Sequence, residues 1–121
     1  MKVALVVDDE PLVAMMVASA LDDAGFSVIE AYDGRHALEI LGTTRIDVVV
    51  TDYMMPRLNG LDLALEIRAR QGRDAIPVVL TSAVPGDVVL RHPGVFAAFF
   101  QKPYDLDEVT ATLNALLDAR A

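Results

Sequence analysis

Hydrophobic and polar positions along the chain alternate between two periods. Runs of four to six residues rich in β-branched and apolar side chains occur at Val3–Val7, Ser27–Glu30, Ile46–Thr51, Ile76–Thr81 and Val95–Phe100, and runs of this kind suit strands buried on both faces. Helical patterns separate them. In the first, Leu12, Met16, Ala20 and Leu21 share a stripe with Val13 and Val17 beside it; Pro11 suits a first helical position and Gly25 a stop. Met15 and Met16 are expected on a face packed against the sheet. In the last, Leu106, Val109, Leu113, Leu116 and Leu117 form one face, and Asp105 with Glu108 resembles a capping box. The middle helices are expected at about Arg35–Leu41 and Gly60–Arg70. Strands alternating with helices need crossover connections, so the pattern predicts an α/β fold with a parallel sheet covered on both faces.

One segment departs from this rhythm. Where a fourth helix is due, the chain runs from Ala83 to Gly94 with Pro85-Gly86 at one end and Pro93-Gly94 at the other. Proline stops a helix near the residue before it, so this helix is expected to be short or irregular.

Three of the apolar runs end on groups with chemistry. Val3–Val7 leads into Asp8-Asp9, Val48–Thr51 into Asp52, and Val95–Phe100 into Gln101-Lys102-Pro103. If these are neighbouring parallel strands, their carboxyl ends share one edge of the sheet, where open α/β sheets bind ligands. Three carboxylates and one amine would meet there. Each has a plainer role when taken singly: a helix cap for Asp8-Asp9, a turn for Asp52, a solvated charge for Lys102, a turn hydroxyl for Ser82, a core ring for Phe99. Coincidence at one sheet edge favours a joint role. His36 and His92 are isolated and without ligand-like spacing, so both read as surface or structural residues.

Length and charge narrow the classes. A chain of 121 residues, 54% of them hydrophobic, suits one domain spanning 1–121 with a real core. The net charge of −8 would repel a nucleic-acid backbone, so no direct nucleic-acid binding is expected. Without cysteine there is neither a disulfide framework nor a thiolate metal site. No run approaches the roughly 20 apolar residues of a membrane span, and the apolar start is cut short by Asp8-Asp9-Glu10. The expectation is a cytoplasmic protein with no membrane contact.

The chain resembles the receiver domain of bacterial response regulators, the phosphoacceptor half of two-component signalling. The resemblance rests on Asp8-Asp9 after the first strand, Asp52-Tyr53-Met54-Met55-Pro56-Arg57-Leu58-Asn59-Gly60 after the third, Thr81-Ser82-Ala83 after the fourth and Lys102-Pro103-Tyr104 after the fifth. It implies a flavodoxin-like, doubly wound five-stranded sheet of order 2-1-3-4-5. It also implies that Asp52 accepts a phosphoryl group from a histidine kinase or histidine phosphotransfer protein. On this reading the chain is no turnover enzyme; it catalyses only its own phosphorylation and dephosphorylation, and it signals through a downstream protein target.

The chemistry agrees with the residues. A carboxylate attacking a phosphorylated donor is one anion approaching another, so charge must be cancelled first. Mg²⁺, with Mn²⁺ as a substitute, suits Asp9 and Asp52 as oxygen ligands, with Asp8 acting through a bound water. Lys102 offers a compact charge to the phosphoryl oxygens and Ser82 a hydroxyl. The resemblance adds the backbone carbonyl of Met54 as a ligand, a cis peptide before Pro103, and a switch pairing Ser82 with Phe99. Three other classes fit less well. A flavodoxin-type carrier would need a hydroxyl- and amide-rich loop where Asp8-Asp9-Glu10 stands; a haloacid-dehalogenase-type phosphatase would need an Asp-x-Asp pattern there; a degenerate receiver would lack part of the acid, serine and lysine set.

Overall fold

The computed structural model describes residues 2–71, 76–84 and 86–120. Its elements run in the order β1 (Val3–Val7), α1 (Pro11–Asp23), β2 (Ser27–Ala31), α2 (Gly34–Thr43), β3 (Val48–Asp52), α3 (Gly60–Gln71), β4 (Val78–Ser82), α4 (Asp87–Arg91), β5 (Ala98–Gln101) and α5 (Leu106–Arg120). The five strands are parallel and ordered β2-β1-β3-β4-β5, the flavodoxin-like arrangement. Going from β1 to β3 the chain passes to the other side of β1. The crevice opened by that reversal lies at the carboxyl ends of β1 and β3.

Alternation along the strands divides the core in two. Ala4, Val6, Val48, Val50 and Val79 face Val17 and Leu21 of α1 and Val109, Leu113 and Leu117 of α5. Leu5, Val7, Val49 and Val78 face Ala37 of α2 and Leu63, Ala64 and Ile67 of α3. The inner strands β3 and β4 are buried throughout, whereas the edge strands β2 and β5 are mostly half-buried. Apolar character alone did not distinguish inner from edge strands.

The observed strands also lie a little further along the chain than the apolar runs. Three of them take in the polar residue at the end: β3 ends on Asp52, β4 on Ser82 and β5 on Gln101. At the start, Ile46 and Ile76 fall outside β3 and β4, and Val95 and Phe96 pack on the α2–α3 side without joining β5.

The stripe expected for α1 needs correction. The helix buries Ala14, Val17, Ala18 and Leu21, and leaves Leu12, Met15 and Met16 at 74%, 55% and 62% exposure. Residues 14, 17, 18 and 21 are themselves an i, i+3, i+4, i+7 set. Two apolar stripes therefore compete on this helix, and the one with small alanines sits against the sheet. The α5 face is as expected, with Val109, Leu113 and Leu117 buried and Leu106 and Leu116 packed beside them. Asp105 caps α5 by accepting the Asp107 amide at 2.8 Å, without a return bond to Glu108 among the described residues. Helix α4 is a single short piece of five residues. Pro93 and Gly94 follow it as expected; Pro85, the other bracketing proline, lies outside the described residues. His36 is exposed and His92 half-buried.

Candidate functional site

The sheet register sets the floor of the crevice. Val7 pairs with Thr51, Asp52 with Thr81 and Ser82 with Gln101, so Asp8, Asp52, Ser82 and Lys102 emerge side by side from four adjacent strands. Backbone bonds continue the alignment past the strand ends: the amide of Lys102 donates to the carbonyl of Ser82 at 2.7 Å, and that of Tyr53 to Thr81 at 2.9 Å. The Lys102–Pro103 peptide is cis.

Carboxylate oxygens of Asp8, Asp9 and Asp52 all lie within 4.8 Å of one another. Asp8 and Asp52 are buried, at 3% and 5% exposure, while Asp9 is exposed at the mouth. Lys102 reaches in from β5, its Nζ 3.4 Å from Asp52 Oδ1 and 3.6 Å from Asp8 Oδ2. The other oxygen of Asp8 accepts the Glu10 amide at 2.9 Å. Ser82 is fully buried, and its Oγ accepts the Val84 amide at 3.1 Å. The sequence-predicted set Asp8, Asp9, Asp52, Ser82 and Lys102 is thus gathered at one sheet edge. Phe99 pairs with Leu80 one strand away, and its ring lies over Gly86. Met54 has its side chain 62% exposed on the loop after Asp52.

Charge is unevenly balanced here. Burial raises the Asp8 carboxyl above its ordinary 3.8, with the Glu10 amide and Lys102 pulling it back. Burial also raises Asp52, and the Asp8 charge adds to it against the pull of Lys102. For Lys102 burial acts downward, but Asp52 and Asp8 outweigh it and raise the ammonium above 10.5. The carboxyls rise mainly because burial disfavours their charged form, whereas the ammonium rises because two anions face it, so the charged form is disfavoured on one side and favoured on the other. A carboxylate excess remains. Three hard oxygen donors with that excess suit a divalent cation that keeps several waters, so the residues fit Mg²⁺.

Three residues of the site, Gly60, Thr81 and Tyr104, lie in the sequence motifs without a role that the sequence alone assigns. Gly60, at the start of α3, lies against the backbone of Asp52: a Cβ there would collide with the Asp52 carbonyl oxygen and lie 2.9 Å from Leu80 Cδ1. The loop between them closes back through a bond from the Gly60 amide to the Tyr53 carbonyl at 2.9 Å. Tyr104 sits half-buried below Lys102; burial raises its hydroxyl above 10.0, with Lys102 and a side-chain hydrogen bond to Thr81 opposing. The signal for Thr81 was its place one residue before Ser82, opposite Asp52 in the register.

Residues 4–114 match the family described as "Response regulator receiver domain". The chain is 38% identical over 116 residues to the response regulator MprA of Mycolicibacterium vanbaalenii, covering 93% of this chain and 49% of that protein. It is 39% identical over 116 residues to the probable transcriptional regulatory protein TcrX of Mycobacterium tuberculosis, covering 93% and 48%. The chain spans about half the length of the curated relatives it matches. Among solved structures it is similar to the receiver domain of Francisella response regulator 1452, with TM-score 0.91, 27% identity and full coverage of both chains. It is also similar to the response regulator TrrA of Thermotoga maritima in complex with Mg²⁺-BeF, with TM-score 0.84, 27% identity and coverage of 96% and 99%.

Proposed function

This chain belongs to the response regulator receiver family, and from that premise we propose that Asp52 accepts a phosphoryl group from a histidine kinase or a histidine phosphotransfer protein. The observation that carries the proposal is the position of Asp52 Oδ1, 3.4 Å from Lys102 Nζ within a buried carboxylate cluster. An oxygen of Asp52 attacks the phosphorus, the bond from phosphorus to the donor's histidine nitrogen breaks, and that nitrogen keeps the electron pair. The product is an acyl phosphate on Asp52.

Mg²⁺, or Mn²⁺ in its place, would be held by Asp9, Asp52 and the Met54 carbonyl, with Asp8 reaching it through water. When bound, the cation supplies the positive charge that two approaching anions require. Asp8 supports the indirect role: its oxygens are already engaged with the Glu10 amide and Lys102. Lys102 pairs with Asp52 before the reaction and is free to turn to the phosphoryl oxygens afterwards, a short movement for a flexible ammonium. Ser82 donates its hydroxyl to a phosphoryl oxygen, and the change at Ser82 passes to Phe99 and α4.

The donor is a protein that covers apolar surface. Leu12, Met15 and Met16 on the first turns of α1, and Met54 on the loop after Asp52, are all more than half exposed, and exposed apolar side chains gathered beside a reactive group mark a contact surface. The downstream target is likewise a protein, since the net charge of −8 disfavours direct contact of this chain with nucleic acid.

Incubation with acetyl phosphate and Mg²⁺ tests the reaction. Intact mass should rise by one phosphoryl group in the wild type and not in Asp52→Asn. Full labelling of the variant would exclude Asp52 as the acceptor.

A further inference from the structure

A second opening lies away from the Asp52 crevice, between α2 and α3. It is a cleft of about 600 Å³ lined by Arg35 and Leu38 of α2, Arg57 and Leu58 of the loop before α3, and Arg70 of α3. A recess of about 190 Å³ shares Leu38 and Arg70 with it and adds Leu41, Gly42 and Ile67. A Cβ at Gly42 would meet no atom within 4 Å, so that wall is bare. Volumes of this size suit a small molecule.

The charge at this opening runs against that of the chain. Among the described residues Arg35, Arg57 and Arg70 line it, in a protein of net charge −8. Glu39 and Glu66 line it too, and Glu66 is taken up by Arg70 at 3.5 Å. Among the described residues Arg35 and Arg57 make no ion pair. Arg57 also holds a φ of 69°, a left-handed conformation that non-glycine residues rarely adopt and that is found where surrounding structure imposes it. A bond from the Leu58 amide to the Pro56 carbonyl at 2.9 Å closes a tight turn around it, and Leu58 packs against Gly34 at the start of α2, where a Cβ would lie 2.6 Å from Leu58 Cδ2.

We propose that this cleft binds a small organic anion, with an apolar or aromatic body on Leu38 and Leu58 and in the recess, and a phosphate or carboxylate between Arg35 and Arg57. Guanidinium groups match the planar, two-oxygen face of either anion. Asp33 shares the niche between Arg35 and Arg57, one of its oxygens held by the His36 amide at 2.7 Å; with the two glutamates it leaves room for one anionic group and would repel the run of charges on an acidic peptide. Arg57 and Leu58 belong to the loop that starts directly after Asp52. An occupant therefore touches the segment that carries the phosphoacceptor, and binding and phosphorylation should influence each other reciprocally. That coupling rests on the phosphoacceptor reading; the binding does not.

Amide shifts of the full chain, without Mg²⁺ or phosphodonor, test the binding separately. The probes are phenyl phosphate and phenylacetate, which distinguish the two anions, with benzyl alcohol as the uncharged control. Saturable shifts confined to residues 34–42 and 56–70 are expected for at least one anion and not for benzyl alcohol. Arg57→Gly should weaken binding about tenfold or more while keeping the fold, because glycine adopts a φ of 69° without strain. Arg35→Ala should weaken it similarly. Shifts centred on Asp52 and Lys102 or on α1, undiminished affinity in both variants, or no saturation at millimolar probe would each overturn the proposal.

Discussion

Gly60 touches the backbone of Asp52 so closely that no side chain fits between them: a Cβ at position 60 would collide with the Asp52 carbonyl oxygen and stand 3.0 Å from the Tyr53 Cα. Two of the three obstacles are backbone, which cannot rotate aside. Gly60→Ala should therefore cost about 1–3 kcal/mol of stability and displace the loop from Tyr53 to Asn59. Acetyl-phosphate labelling of the folded fraction should slow as well. A variant with wild-type melting and labelling would show that the loop yields freely.

Three carboxylates around a single ammonium leave the cluster short of positive charge, so a divalent cation that binds only the folded state should raise its melting temperature. At a hundred times the dissociation constant the gain is about 2.7 kcal/mol, several degrees for a domain of this size. Asp9 is the exposed member of the three and makes no ion pair among the described residues. Asp9→Asn should lose most of the Mg²⁺-induced shift while leaving the metal-free melting temperature nearly unchanged. An equal shift in the variant would remove Asp9 from the ligand set.

The raised carboxyls fix the sign of a pH effect. Burial raises Asp52 and Asp8, so the folded chain holds these protons more tightly than the unfolded one. Their stabilising contribution is complete below the ordinary value of 3.8 and is lost as pH rises through the raised values. Asp52→Asn, which cannot ionise, should then be more stable than the wild type in metal-free buffer at neutral pH. The advantage should shrink as pH falls toward 4. Urea midpoints of the two proteins across that range decide the matter: a difference independent of pH would mean that Lys102 fully compensates Asp52. Lys102, raised above 10.5, adds stability that persists through neutral pH and is lost only in strong alkali.

Much of the site could be read from the sequence because each reactive residue follows an apolar run, and parallel pairing brings such ends together. Asp8, Asp52, Ser82 and Lys102 needed only strand order to be placed as neighbours. The α1 face was not readable in the same way. Leu12 and Met16 outweigh Ala14 and Ala18 on any hydrophobicity count, yet close packing on the sheet selects the smaller side chains. The positive φ of Arg57 belongs to a tight local turn, closed by the Leu58 amide donating to the Pro56 carbonyl at 2.9 Å, and nothing in the residue type of Arg57 announces it. Helix α3 starts at Gly60 as its pattern predicts, and Asn59 and Asp62 cap it through bonds of 2.8 and 3.3 Å that the apolar pattern does not carry, because they depend on polar side chains.

The switch should act through Ser82, Gly86 and Phe99. In this structure Ser82 Oγ accepts the Val84 amide at 3.1 Å. If the hydroxyl turns to donate to a phosphoryl group on Asp52, that amide loses its acceptor and the start of the β4–α4 connection is released. Gly86 lies on this connection, and a Cβ there would stand 2.9 Å from two ring atoms of Phe99, so movement of Gly86 opens or closes space for the ring. Phenylalanine has no hydroxyl to hold its ring at the surface, which leaves packing to decide its position. Helix α4 offers little resistance: it has five residues, no side-chain cap, and only Val88 buried. Amide exchange across residues 83–100 should change more on beryllofluoride activation than exchange in α1, and Ser82→Ala should blunt that change while Asp52 still takes up one phosphoryl group. Activation that altered exchange elsewhere but left 83–100 untouched would place the output surface away from β4, α4 and β5.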